Sequence, residues 1–245
     1  MLKELKDAVR GEVISDKETL EDFSEDASIF HITPSYVVRP KDAQDVQSLV
    51  SFAKRNKGIS LTARSAGTDM TGGPLSDSIV VDFLPNFNKV LEVGDGWAKT
   101  QPGVFYRNFE KKTLAKNWLL PCYTASRELN TVGGMVANNS GGEKSLVYGK
   151  TEKYVRSLKM VLSDGKEYSF QKLSRKELEA ILREDSFLGD IYRKTENLIK
   201  ENHDVIQKAR PNVSKNSAGY ALWSVWDKEE DTFDLTKLLL GLKEH

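Results

Sequence analysis

A single cysteine, Cys122, excludes an internal disulfide and a cysteine-built zinc site, and only three histidines, His31, His203 and His245, accompany it. So sparse a thiol content fits a reducing compartment, and the cytoplasm is the expected location. Charge of one sign is also missing, because 36 Lys+Arg stand against 36 Asp+Glu. Nucleic acid and anionic membrane surfaces recruit a basic excess, so neither is expected as the main partner. No apolar run approaches the roughly 18 residues of a membrane span, and the opening MLKELKDAVRGEV is charged where a signal peptide would carry its apolar core. Internal repeats and low-complexity linkers are absent as well. What is present is 245 residues, 39% of them hydrophobic, which is enough for one large globular domain or two small ones with a buried core.

Apolar periodicity divides the chain. SYVVRP reads as a short strand. Pro40 is then expected to open a helix over KDAQDVQSLVSFAKRNKG, with Ala43, Val46, Leu49, Val50 and Ala53 on one face and Gly58 as its stop. ISLTA and SIVVDF are strand candidates, so the first third forms a strand-helix-strand-strand unit ending near residue 90. Beyond it, KVLEVGDGWAKTQPGV predicts two short strands around the turn GDG, and VFYRNFEKKTLAKN predicts a helix. KYVRSLKMVLSDGKEYSF alternates and turns at Asp164-Gly165, as an antiparallel hairpin does. Charged helices are expected from about 174 to 208, with solvated faces.

Between ISLTA and SIVVDF lies RSAGTDMTGG, residues 64–73, with glycines at 67, 72 and 73. A Walker loop ends in Gly-Lys-Ser/Thr, and this stretch has no lysine. A Rossmann fingerprint opens a helix that points at the pyrophosphate, whereas here a strand pattern follows. Two readings survive: bare backbone amides wrapping an anion, helped by the hydroxyls of Ser65, Thr68 and Thr71, or a connection that uses glycine for turn geometry alone. A second tract, NTVGGMVANNSGGEKSLVYG, holds Thr131, Gly133, Gly134, Asn138, Asn139, Gly141 and Gly142 and lacks the bulk to build its own core. Two such loops suit a long folded ligand with a pyrophosphate and a polar ring, against the alternative of a long surface loop.

The order VVRP, helix, ARSAGTDMTGG, VVDF, QPGV, NTVGGMVANNSGGEKSLVYGKTEKYV, VLSDG and finally KNSAGY resembles the FAD-binding domain of the FAD-linked oxidases, the PCMH-type or vanillyl-alcohol oxidase family. Within it, the branch of the D-lactate dehydrogenases and the flavin-binding glycolate oxidase subunit is the most similar, and the likeness runs from Tyr36 to Leu240. The KNSAGY and LLLG segments set it apart from the UDP-sugar enolpyruvyl reductases of the same superfamily. The resemblance implies an α+β fold of two α/β lobes, the first (1–90) with a small, partly parallel sheet and the second (91–245) mainly antiparallel, with extended FAD between them.

Carried over by position, the resemblance makes residues 64–73 the pyrophosphate loop. Arg64 opens it, the amides of Ser65, Ala66, Gly67, Thr68 and Asp69 are the direct contacts, and Thr71 and Gly72 follow. The family commonly has glycine where this chain has Ser65 and Ala66. Pro121, Ser126, Thr131, Gly133, Gly134, Ala137, Asn138, Ser140, Gly141 and Tyr148 match the segment lining the flavin ring and ribityl chain, and Val155 to Val161 match a strand of the second lobe. Neither loop contains the histidine that bonds covalently to the flavin in some relatives, so noncovalent FAD is implied. Lys215 to Tyr220 match a segment near the flavin and substrate pocket. His31 and His203 read as packed or solvated histidines, Cys122 as a buried inert thiol, and Arg127-Glu128 as an ion pair.

In the family, the segment after a DLTKLLLG-like stretch continues into a glycine-rich strand and then a substrate or cap domain that supplies the catalytic base and sometimes a metal site. Here GLKEH stands instead, so the chain resembles the first half of such an enzyme and is expected to be incomplete for catalysis by itself. The implied function is FAD-dependent oxidation of a small 2-hydroxy acid of the D-lactate or glycolate type. The alternative is a noncatalytic nucleotide-binding module. No metal is expected, and the electron acceptor and oligomeric state are not legible.

Overall fold

A computed structural model describes residues 1–213, 216 and 220–241. The chain begins with α1 (Leu2–Ala8), β1 (Glu12–Ile14), α2 (Lys17–Asp22), β2 (Tyr36–Arg39), α3 (Ala43–Arg55), β3 (Leu61–Arg64) and β4 (Ile79–Asp82). The four strands form one sheet in the order β1-β2-β4-β3, with β4 parallel to both β2 and β3 and β1 antiparallel at the edge. All four residues of β4 are buried, as befits a central parallel strand covered on both faces. Period-two alternation then sorts the side chains. Val38, Ile79 and Val81 join Leu5, Leu49 and Phe52 on one face, while Val37 and Val80 join Ile14 and, beside them, Leu20 and Phe23 on the other.

α3 starts two residues later than Pro40 suggests. Asp42 is its N-cap, with its carboxylate accepting from the amides of Gln44 and Asp45. The buried stripe is Asp45, Leu49 and Phe52, so of the expected face only Leu49 is fully buried. Asp45 occupies a core position because it is saturated with donors. It accepts from the Arg10 amide at 3.0 Å, the Lys41 amide at 2.8 Å and Arg10 Nε at 3.3 Å. Burial pushes the Asp45 carboxyl up, but these hydrogen bonds outweigh it and hold the group below the ordinary carboxylate range. A depressed folded-state pKa contributes stability above the unfolded-state value, and that contribution disappears as pH falls through the depressed one. Asp45→Asn is therefore expected to cost about 2 kcal/mol at neutral pH, and the gap to the parent should narrow in strong acid. Urea denaturation at several pH values checks this, and a pH-independent gap would refute the assignment.

β5 (Val90–Gly94) and β6 (Trp97–Thr100) make the expected hairpin, with Gly96 at φ +71° in its turn, and lead to α4 (Tyr106–Leu114). α5 (Val132–Ala137) and α6 (Ser145–Tyr148) follow. The second glycine tract is thus partly helical, and it does contribute to a core. Met135 of α5 is buried with Val104, Tyr106, Phe109, Cys122 and Tyr123, because α5 turns its largest side chain inward while Gly133 lies against the Pro102 backbone.

The hairpin β7 (Ser157–Val161) and β8 (Glu167–Gln171) begins two residues after Val155 and turns through Gly165 at φ +83°. β9 (Leu173–Ser174), α7 (Arg175–Leu182), α8 (Phe187–Glu201), α9 (His203–Lys208), β10 (Trp226–Asp227), β11 (Thr232–Phe233) and α10 (Thr236–Leu239) complete the described chain. The charged helices are solvated on one side only. Leu178, Tyr192, Ile199 and Ile206 pack with Phe170, Val225 and Phe233 in a core of their own. The order β10-β11-β9 is antiparallel throughout. The Gly241 amide donates to the Val136 carbonyl and Lys237 Nζ to the Glu152 carbonyl, which tie this last segment back to α5 and its surroundings.

Candidate cofactor site

β3 and β4 are parallel neighbours, so the chain must cross from the carboxyl end of one to the start of the other, and it does so through residues 65–78 without a helix. The glycine loop therefore leaves the carboxyl edge of a parallel sheet, where α/β proteins hold their ligands. Its donors are unspent. Among the described residues, the amides of Ser65, Ala66, Gly67 and Thr68 donate to no protein acceptor, and all four residues are only half-buried. Gly67 sits at φ +63°, the left-handed conformation that lets successive amides converge on an anion.

The rest of the loop is braced. Arg64 donates from its guanidinium to the Phe23 carbonyl at 3.0 Å and the Glu25 carbonyl at 2.7 Å, and lies over the Phe23 ring at 4.9 Å. Burial lowers its pKa, and its charge is directed at residues 23–25 rather than at the loop's concavity. Asp69 folds its carboxylate onto the loop, accepting from the Met70 amide, the Gly73 amide and Thr71 Oγ1. The Thr71 hydroxyl proton is thus given to the Asp69 carboxylate in this structure. The Gly72 amide donates to Asp26 Oδ2 at 3.1 Å, and the Ala27 amide to the Asp69 carbonyl at 3.0 Å. Two carboxylates near an anion site would repel the ligand, but both are turned onto backbone amides.

A hydrogen bond joins the second segment to the first. Ser65 Oγ lies 2.6 Å from Thr131 Oγ1, and Thr131, almost fully buried, is the N-cap of α5 and accepts from the Gly134 amide at 3.2 Å. The other leading amides of α5 are also spent inside the chain, that of Val132 on the Val104 carbonyl and that of Gly133 on the Pro102 carbonyl. What Gly133 supplies is therefore not a donor but clearance, since a Cβ there would stand 2.5 Å from Pro102 Cβ. Ser140 gives its carbonyl to the Thr151 amide and hydroxyl, and Gly141 leaves room for Ser145 Oγ. Ser126 bonds Thr124, and Pro121 is half-buried. Ala137, Asn138 and Tyr148 are exposed and are not drawn toward the Ser65–Thr131 contact by any hydrogen bond among the described residues.

Two participants, residues 23–27 and Asn130, have no advance signal in the sequence, and Asn139 of the second tract takes a clamping role that its residue type does not announce. Residues 23–27 form the outer brace of the loop. Asn139, at φ +43° and buried, clamps Glu152 through both ends of its amide. Asn130 is buried with its Nδ2 on Thr124 Oγ1, and its Oδ1 takes no donor among the described residues. Polar residues of these types are read from sequence as turn formers, so nothing separates them from ordinary loop residues.

The remaining candidates take the structural roles expected. Cys122 is buried and its thiol is pushed up by that burial. Arg127 pairs with Glu128 and Glu110 over the Tyr123 ring, and His31 bonds Glu21 and Ser24. Lys215, Ser217, Ala218 and Gly219 of the KNSAGY stretch lie outside the described residues. Among the described residues there is no cluster that could hold a metal ion and no helix long and apolar enough to cross a membrane.

Known proteins resemble the chain in sequence and in fold. D-2-hydroxyglutarate dehydrogenase of Escherichia coli K12 is 28% identical over 222 residues, which is 89% of this chain and 22% of that protein. Glycolate oxidase subunit GlcD of Bacillus subtilis is 29% identical over 54% of this chain and 28% of its own length. D-lactate dehydrogenase of Archaeoglobus fulgidus is 31% identical over 53% of this chain and 29% of its own. The chain thus spans only a minor part of these curated relatives. Two solved structures share the fold. Alkyldihydroxyacetonephosphate synthase has a TM-score of 0.59 at 23% identity, covering 69% of this chain and 34% of that one. 6-Hydroxy-D-nicotine oxidase from Arthrobacter nicotinovorans has a TM-score of 0.57 at 24% identity, covering 66% and 36%. The FAD binding domain family matches residues 34–171, a span that holds both glycine segments, so the chain belongs to that family, has its α+β fold, and takes FAD as its cofactor.

Proposed function

We propose that this chain is the FAD-holding part of a flavin-dependent oxidoreductase acting on a small 2-hydroxy acid of the D-2-hydroxyglutarate, D-lactate or glycolate type. The observation that carries the reading is the run of four unspent amides at Ser65, Ala66, Gly67 and Thr68, held open by the Arg64 brace and joined to the second glycine segment through Ser65 and Thr131. Those amides fit a pyrophosphate, and the orphaned acceptor on buried Asn130, next in the chain to Thr131, suits a hydroxyl or N–H of the same ligand. Bound FAD would supply hydride acceptance from the substrate carbon and electron delivery to a further acceptor.

The protein's part is to bind and orient. Residues 1–90 form the lobe that presents the pyrophosphate loop, and 91–245 the lobe that presents the flavin-side segment. Attachment is noncovalent, since neither segment contains histidine and the Cys122 thiol is buried and hard to ionise. His31 bonds Glu21 and Ser24 and His203 bonds Asp204, so neither histidine is hydrogen-bonded to the two segments among the described residues.

Titration of the purified chain with FAD, followed by quenching of flavin fluorescence and a structured absorption band, is expected to show saturable one-to-one binding. Turnover of D-2-hydroxyglutarate, D-lactate or glycolate with a dye acceptor then tests the activity. Absence of flavin binding overturns the proposal, and binding with no turnover in a form that includes the relatives' additional length favours a noncatalytic module.

A further inference from the structure

The Ser65–Thr131 pair contains more donors than it uses. Two hydroxyls carry two protons, and a single hydrogen bond of 2.6 Å joins them. Thr131 Oγ1 already accepts from the Gly134 amide, and neither hydroxyl has any further partner among the described residues. One O–H is therefore left over. Thr131 is almost completely buried whereas Ser65 is half-buried, so the surplus donor belongs on the accessible side, at Ser65. A Cβ at Gly134 would stand in ordinary contact with Ser65 Oγ at 3.5 Å and tightly against Thr131 Oγ1 at 3.2 Å, so the glycine eases the Thr131 cap rather than the Ser65 hydroxyl.

From this we infer that Thr131 donates to Ser65 Oγ, and that Ser65 in turn donates its own hydroxyl proton to a phosphate oxygen held by the amides of Ala66, Gly67 and Thr68. Ser65 is thus a phosphate ligand through its side chain, and Thr131 is the positioning residue that fixes its rotamer. The inference rests on the FAD reading above and adds to it a side-chain contact that a glycine at position 65 could not make. The same pair sets the spacing of the two segments before any ligand arrives, which lowers the ordering cost of binding.

Ser65→Ala removes the donor and leaves the Thr131 cap intact. A hydroxyl donated to an anionic oxygen corresponds to a tenfold or larger change in affinity, so FAD and ADP should both bind about tenfold more weakly. Riboflavin, which has no phosphate, should bind the variant and the parent alike. Thr131→Ser should behave as the parent, and Ser65→Gly, which any loop conformation tolerates, should repeat the Ser65→Ala result if that variant folds poorly. Equal affinity of the parent and both Ser65 variants for FAD and ADP overturns the inference and leaves the FAD reading standing. A matching loss for riboflavin overturns it in favour of a structural role. Failure of the parent to bind FAD or ADP overturns both.

Discussion

Gly67→Val is expected to weaken FAD binding by roughly a hundredfold or more while leaving most of the fold intact. Position 67 is held at φ +63°, and a side chain there costs about 1–2 kcal/mol, more when it is β-branched. Space adds to the penalty. A Cβ would stand 2.7 Å from the Arg64 guanidinium, which cannot retreat without releasing the Phe23 and Glu25 carbonyls. Relief must come from the loop itself, and any rotation there re-aims the amides of Ala66, Gly67 and Thr68. Losing two hydrogen bonds to an anion, each worth about 1.5–3 kcal/mol, produces the expected effect. Fluorescence titration measures the affinity and thermal denaturation measures the fold. Parent-like affinity in a folded Gly67→Val protein would mean that these amides do not hold the cofactor.

Gly142→Ala should strike the fold instead, by about 3 kcal/mol or more in urea denaturation. An added Cβ would lie 1.9 Å from the Tyr123 carbonyl oxygen, 2.9 Å from its carbon and 3.0 Å from Thr124 Cα. All three are backbone atoms, so no rotamer change relieves the clash, and the segment after α5 would have to lift away from the one that buries Cys122 and Tyr123. Gly58→Ala is the matched control. Gly58 has φ +84° but nothing within 4 Å of the added carbon, so its cost is conformational only, about 1 kcal/mol. If the two substitutions cost the same, close backbone contact at Gly142 is not what holds this region together.

The elements that were legible are those whose signal is local. β4 could be read from SIVVDF because a strand buried on both faces is apolar at every position, and the two hairpins from GDG and SDG because their turns demand positive φ. α3 was legible as a helix but not in its buried face. Asp45 is a core residue because Arg10, brought from 35 positions away, joins the neighbouring Lys41 amide in satisfying its carboxylate, and no periodicity argument admits an aspartate to a core. α5 was hidden for the opposite reason. VGGMVA has low intrinsic helicity, and it is helical because Thr131 caps it and the carbonyls of Pro102 and Val104 take its leading amides.

The same division runs through the site. Residue types alone established that two small, polar, glycine-bearing segments exist, that neither is a Walker or Rossmann loop, and that their order matches one family of flavin-binding domains. Composition also made a basic-surface partner implausible, because net charge is a sum over the chain and needs no coordinates. Which donors are available was decided in three dimensions. The amides of Gly133 and Gly134 and the hydroxyl of Thr71 are consumed within the protein, the Arg64 guanidinium faces carbonyls, and Ser65 retains a donor because Thr131 approaches it from 66 residues away. Availability is a balance between every donor and every acceptor within reach, and reach is set by packing between segments far apart in the chain.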